Sequence, residues 1–272
     1  MKIEHLISTM YQKTLEFTDS MRCKTDILLV NQTNEEFICE ETNEGITRRM
    51  ISVSERGLSN SRNMLIKNAK GDIGILGDDD LIYMDGYLEI IKAAYERHPD
   101  ADIIAFSFTQ DMNINTRRQF KKEKQLNIFT ISKISSVEIT FKIKSIREKK
   151  IQYCPLLGLG APFGACEENA FLADALRAGL KIWYVPKTIC YLKPDPIERV
   201  KWKNGFDKDY FIKRGACFYR IYKNKFVFFT IAFLCLKKFN IFRNVNFFKA
   251  FYWMLCGRKE YINQDKNIKD NS

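Results

Sequence analysis

The chain has 272 residues, 46% hydrophobic and 28% charged, with a formal net charge of +11. Such a composition excludes a disordered chain and leaves enough apolar material for a full core without disulfide or metal staples. Residues 197–272 hold 17 Lys and Arg against 6 Asp and Glu, so they carry the whole excess, and residues 1–196 are neutral. A neutral globular domain followed by a basic, interacting segment is the expected organisation.

Two short apolar strands are expected first, over Lys2–Ile7 and Asp26–Val30, the second ending at Asn31. Ser59 is placed to cap a helix over Asn60–Ala69 whose buried face carries Leu65 and Ile66 and which stops at Gly71. Ile73–Leu76 is a buried strand that runs straight into Gly77-Asp78-Asp79-Asp80. Asp85 is placed to cap a second helix, with Leu88, Ile91, Ala94 and Tyr95 on one stripe and Pro99 at its end. Asp102–Phe108 returns as a strand, while residues 111–150 hold alternating stretches such as Val137–Ile143 whose order the pattern does not set.

A glycine-rich segment, residues 157–164, leads into Glu167-Glu168-Asn169. A helix bearing Phe171, Leu172, Ala175 and Leu176 follows, stopped at Gly179, and then a strand over Ile182–Val185 closed by Pro186. Strands alternating with helices imply an α/β fold with a mainly parallel sheet flanked by helices. Ligands of such folds lie beyond the carboxyl ends of the strands, where the three aspartates fall. Two histidines, His5 and His98, and eight scattered cysteines without a Cys-x-x-Cys pair argue for free thiols in a reducing compartment. Met1 is not followed by a basic segment and an apolar run, so no secretory signal is expected.

Three adjacent carboxylates repel one another and must be solvated, capped or neutralised. A solvated acidic turn would do; so would a hard divalent cation, which takes one or two carboxylates and completes its shell with phosphate oxygens and water.

Arg56-Gly57-Leu58-Ser59-Asn60-Ser61-Arg62-Asn63, then Gly71-Asp72-Ile73-Gly74-Ile75-Leu76-Gly77-Asp78-Asp79-Asp80, resembles the core of the family-2 glycosyltransferases. The stretch from Gly158 to Pro186, with Glu167-Glu168-Asn169 and Gly179-x-Lys181-Ile182, is similar to that family's second acidic motif. The likeness covers roughly residues 2–195 and implies a GT-A, Rossmann-like catalytic domain over 1–195 with a helical basic and aromatic segment over 196–272. It further implies transfer of a sugar, with inversion, from a nucleotide-sugar donor to a glycan or lipid-linked acceptor, of the kind that builds bacterial surface polysaccharide.

By the same resemblance, Asp80 would bind Mn²⁺ or Mg²⁺ with help from Asp78, which could instead contact the ribose, and Asp79 would orient the turn. Ser8, Thr9, Tyr11 and Asn31 would hold the nucleotide, and Arg56 and Arg62 would approach its base or diphosphate. Glu168 would be the general base, with Glu167 its substitute or an acceptor contact. Glutamates in a first helical turn also suit the helix dipole without any catalytic role. The family has glycine before this acidic pair; here Cys166 stands there.

The tail interleaves Lys213, Arg214, Phe218, Tyr219, Arg220, Tyr222, Lys223 and Lys225, and its longest uncharged run, Phe226–Leu236, is too short to span a bilayer, which needs about 20 residues. It suits either the surface of an anionic membrane, at the inner, cytoplasmic face, or a helical subdomain packed on the core. Nucleic acid is not expected as a partner, since no binding module for it is present. A nucleotidyltransferase would show a glycine- and lysine-rich loop where Ser8-Thr9-Met10-Tyr11-Gln12 stands. A membrane-associated scaffold that keeps the fold without the activity is the alternative of a different class.

Overall fold

A computed structural model describes residues 1–109, 119–193, 206–236 and 245–270. Among the described residues ten strands form one sheet: β1 (Ile3–Met10), β2 (Asp26–Gln32), β3 (Phe37–Asn43), β4 (Ile46–Val53), β5 (Ile73–Asp78), β6 (Leu81–Tyr83), β7 (Ile103–Thr109), β8 (Lys124–Gln125), β9 (Ile139–Lys142) and β10 (Ile182–Leu192). The order is β3-β4-β2-β1-β5-β9-β7-β10-β6, with β8 on β10. One half, β4-β2-β1-β5, is parallel, and β7 and β10 also pair in parallel. The short β9 enters antiparallel between β5 and β7 and makes the sheet mixed.

Alternation along buried strands divides the core into two layers. Leu6, Leu28, Val30 and Leu76 face α1 (Leu58–Asn68), α3 (Ile143–Glu148) and α4 (Glu167–Arg177), packing with Leu65, Ile146 and Phe171. Ile7, Ile27, Leu29 and Ile75 face the other way, onto Tyr87, Ile91 and Ala94 of α2 (Tyr87–Arg97).

Several local expectations are revised. Gly57, at φ 110°, precedes α1 in place of Ser59, whose hydroxyl instead donates to Leu157 O at 2.7 Å. Gly86, not Asp85, precedes α2. Pro186 does not close the last strand: β10 continues to Leu192, and the register shift between Tyr184 and Thr188 accommodates a residue without an N–H. Gly179, left-handed at φ 85°, ends α4 as expected, with Gly179 N–H on Leu176 O and Leu180 N–H on Ala175 O.

The C-terminal extension comprises α5 (Lys208–Tyr222), α6 (Phe226–Leu236) and α7 (Phe247–Asp270). The expected boundary at 195/196 lies outside the described residues. Helices α5 and α7 meet backbone to backbone, because a Cβ at Gly215 would collide with Met254 and one at Gly257 with Ile212. Ala216, Cys217, Ile221 and Tyr261 of these helices join the core that holds α4, so α5 and α7 pack on the α1/α4 layer of the sheet. Among the described residues no helix is long and apolar enough to cross a membrane.

Candidate active site

The carboxyl ends of the parallel strands share one level, because register pairs Thr9 with Asn31 and Ser8 with Asp78. Strand β5 delivers Asp78, and Asp79 and Asp80 form the turn into β6. Thr9 Oγ1 donates to Asp79 Oδ2 at 2.5 Å, which fixes the middle carboxylate. Lys193 holds the same turn through its main chain, donating its N–H to Asp80 O at 2.7 Å. Asp80 is exposed and Asp78 half-buried. Burial raises the Asp78 carboxyl, with Arg62 opposing the shift. Desolvation, then the charges of Asp78 and Asp79, push Asp80 up to about 6.

The second acidic motif reaches this point through α1. Arg62 is 2% exposed, and its guanidinium donates to Glu167 Oε1 at 2.9 Å and to Asp78 Oδ1 at 3.4 Å. The Tyr153 ring lies 5.4 Å from the guanidinium carbon. A buried cation needs such pairing, so Arg62 ties the end of β5 to the first turn of α4. Its neighbour Asn63 clamps the Tyr153 main chain at both N–H and C=O, at 2.7 and 2.9 Å. The glycine-rich segment completes the joint: Leu58 N–H donates to Leu159 O at 3.0 Å, and Gly158, at φ 98°, packs against the Glu167 side chain.

Helix α4 begins with Glu167 and Glu168, where the dipole favours negative charge. Cys166 precedes them in the left-handed region at φ 66°, the conformation for which glycine is the usual residue. Glu168 is half-buried, and its carboxyl is raised well above the ordinary range by burial, then by Glu167 and Cys166. Arg214 of α5 brings its Nη1 to 3.5 Å from Cys166 Sγ, so the extension supports the loop that presents this pair.

The nucleotide-side candidates divide in two. Tyr11 is 63% exposed in a left-handed conformation at φ 57°, and Arg56 lies 5.5 Å over its ring while donating to Thr33 O and Asn34 Oδ1. Ser8 and Asn31 point inward. Ser8 accepts from Ser61 Oγ at 2.8 Å, and Asn31 bridges the Gln12 main chain to Ser52. They hold the first loop in shape. Tyr153 and Lys193 carry no signal in the sequence, and Asn63 and Arg214 stand there only as members of a motif and of the basic tail; their parts in the site depend on partners far along the chain.

The cation expected at the aspartates has a donor set of the right chemistry, hard carboxylate oxygens raised by burial and by their neighbouring carboxylates, with Lys193 opposing the rise at Asp80. Among the described residues no group of three or more His, Cys, Asp or Glu could hold a metal by itself. Asp80 and Asp78 are the residues that would hold such a cation, their oxygens being of the kind that shares a shell with phosphate and water.

Residues 31–154 match the family model described as Glycosyl transferase family 2. The match spans both the Arg56–Asn63 and the Asp78–Asp80 motifs and stops short of Glu167. It bears out the resemblance read from those motifs. No curated protein matches the chain. Among solved structures, S. aureus TarS 1–349 in complex with UDP superposes with a TM-score of 0.59 at 11% identity, covering 100% of this chain and 92% of that one. TarS 1–349 in complex with UDP-GlcNAc gives 0.58 at 14% identity over 82% and 67% of the two chains. A longer S. aureus TarS structure gives 0.56 at 13% identity, and this chain spans 39% of it. The fold, a mixed α/β sheet flanked by helices with a C-terminal helical extension, is that of GT-A glycosyltransferases.

Proposed function

We propose, from the premise that this GT-A fold carries a glycosyl transferase family 2 segment over residues 31–154, that the chain transfers a sugar from a nucleotide-sugar donor to an acceptor hydroxyl with inversion. The observation that carries this reading is the Arg62 bridge, which joins the strand-end aspartates and the first turn of α4 in one cleft at 3.4 and 2.9 Å. A glycosyl transfer needs those two groups together, one for the donor phosphates and one for the acceptor proton.

Tyr11 and Arg56 offer an aromatic face and a cation to the nucleoside, on a loop shaped by Ser8, Thr9 and Asn31. Asp80 and Asp78 would hold Mn²⁺ or Mg²⁺, which when bound supplies positive charge to the diphosphate as it leaves. Glu168 removes the proton of the acceptor hydroxyl as that oxygen attacks the anomeric carbon on the face opposite the departing nucleoside diphosphate. Its raised carboxyl makes it a stronger base once ionised. Glu167, paired to Arg62, positions the turn from which Glu168 acts. A glycan or a lipid-linked sugar of bacterial surface polysaccharide is the proposed acceptor class.

The complexes of the structural neighbours with UDP and UDP-GlcNAc make uridine nucleotides the first probes. Thermal unfolding with UDP, GDP, CDP and TDP and their sugar conjugates, each with and without Mn²⁺, tests the reading, because ligand bound to the native state alone raises the midpoint. A cation-dependent rise with one nucleotide, absent in Asp80→Asn, is expected. No rise with any nucleotide would refute the transferase and favour a scaffold.

A further inference from the structure

Helix α6 has the sequence Phe226-Val-Phe-Phe-Thr-Ile-Ala-Phe-Leu-Cys-Leu236, without one charge, yet only one side of it is packed. Phe226, Thr230 and Leu234, spaced four apart, are buried against the extension. Val227, Phe228 and Ile231 share the arc opposite these and stand in solvent, Phe228 64% exposed. A helix on the surface of a folded protein puts polar residues there.

This face is continuous with the catalytic domain. Phe129, 59% exposed, lies 5.4 Å from Phe229, and Phe229 lies 5.4 Å from Phe228. The turn that follows Phe129 is tied to the active site, since Asn169, next to Glu168 on α4, donates to Ile131 O and Ile134 O at 3.1 Å. The apolar surface is therefore linked through the Phe129 turn to the first turn of α4, which carries Glu168.

The charge around it selects the occupant. From Tyr210 to Lys259 the sequence holds eleven Lys and Arg and no Asp or Glu. Lys223 and Lys225, at the start of α6, are exposed. A second copy docking on this face would bring two such basic regions together, at an electrostatic cost. A nucleic acid would meet the cations but gain nothing from Val227 and Ile231. An anionic bilayer satisfies both, because its headgroups take the lysines and its acyl boundary takes the apolar arc.

We propose that the chain docks on an anionic lipid surface through Val227, Phe228 and Ile231 of α6 together with Phe129, and so holds the Glu168 end of α4 near the bilayer. That the acceptor itself is lipid-borne rests on the transferase reading; the docking does not.

Co-sedimentation of the full chain with vesicles tests this. Wild-type chain is expected to bind mixed phosphatidylglycerol–phosphatidylcholine vesicles at least about tenfold more tightly than phosphatidylcholine alone, and to be released by salt. F228E/I231E, and separately K223E/K225E, are expected to lose about tenfold or more on the mixed vesicles with unchanged thermal midpoints. Equal sedimentation with both vesicle types, or full binding by F228E/I231E, overturns the proposal. So does a dimer by light scattering that F228E/I231E dissociates while wild-type chain ignores vesicles, which would assign the face to a second copy. Vesicle binding without any nucleotide-induced thermal shift would remove the transferase reading and leave the docking standing.

Discussion

Replacing Arg62 by alanine removes a group that touches both acidic motifs. Arg62 is 2% exposed, the Glu167 side chain is 9% exposed, and their contact is 2.9 Å. Removing one partner of a buried pair strands the other charge and costs about 3–5 kcal/mol. For a chain of this size that lowers the thermal midpoint by roughly 10 °C. The loss has a defined pH dependence. Burial already raises the Asp78 carboxyl with only Arg62 opposing it, so in Arg62→Ala the folded-state value rises further. A carboxyl raised in the folded state destabilises fully above that value, and the penalty fades as pH falls toward the unfolded value of about 4. Urea unfolding at neutral pH and near pH 5 should show the larger deficit at neutral pH. Glu167→Gln added to Arg62→Ala removes one stranded charge and should recover about 1 kcal/mol or more. A deficit under about 1 kcal/mol, or one independent of pH, would refute the bridge as the joint of the site.

Glu168→Gln should lower turnover about 10²–10⁴-fold while the nucleotide-induced thermal shift survives. In the wild type the rate should fall on the acid side through a value above the ordinary carboxylate range, since the base must be ionised and burial raises it; a pH–rate profile flat down to the ordinary range would exclude Glu168. Cation-dependent nucleotide binding should weaken as pH falls below about 6, where Asp80 takes a proton, as read by calorimetric titration. Gly158→Ala places a Cβ 3.2 Å from both Glu167 Cγ and Ser59 Oγ at φ 98°, so turnover should drop more than donor affinity, with about 1–3 kcal/mol lost in urea unfolding. Gly257→Val drives a side chain into the Ile212 main chain and should lower the thermal midpoint by separating α5 from α7.

Elements with their own periodicity were legible in the sequence. The buried run of β5 delivers Asp78, the Leu65 and Ile66 face buries α1, and Gly179 ends α4, because each rests on residues within a few positions of one another. The acidic motifs and their order were legible for the same reason. The Phe37–Val53 hairpin was not anticipated: it turns at Glu44 and Gly45, both at positive φ, where an Asn-Gly pair would have been the stronger signal. β9 falls inside the alternating Val137–Ile143 stretch, but its four residues carry no pattern that says they enter antiparallel between β5 and β7.

The candidate site divides along the same line. Residue types and their neighbours in the chain nominated Asp78, Asp80, Glu167 and Glu168. Which way each side chain faces depends on partners 16 to 105 positions away: Arg62 with Asp78 and Glu167, Ser8 with Ser61, Asn31 with Ser52. Arg62 could serve a phosphate or a carboxylate equally well by composition; only packing against α4 and Tyr153 removed it from solvent and committed it to the latter. The basic tail was ambiguous in sequence because apolar helices look alike whether packed or exposed. Tertiary structure separates the two, burying the Gly215–Gly257 crossing in the fold and leaving the Phe228 face of α6 outside.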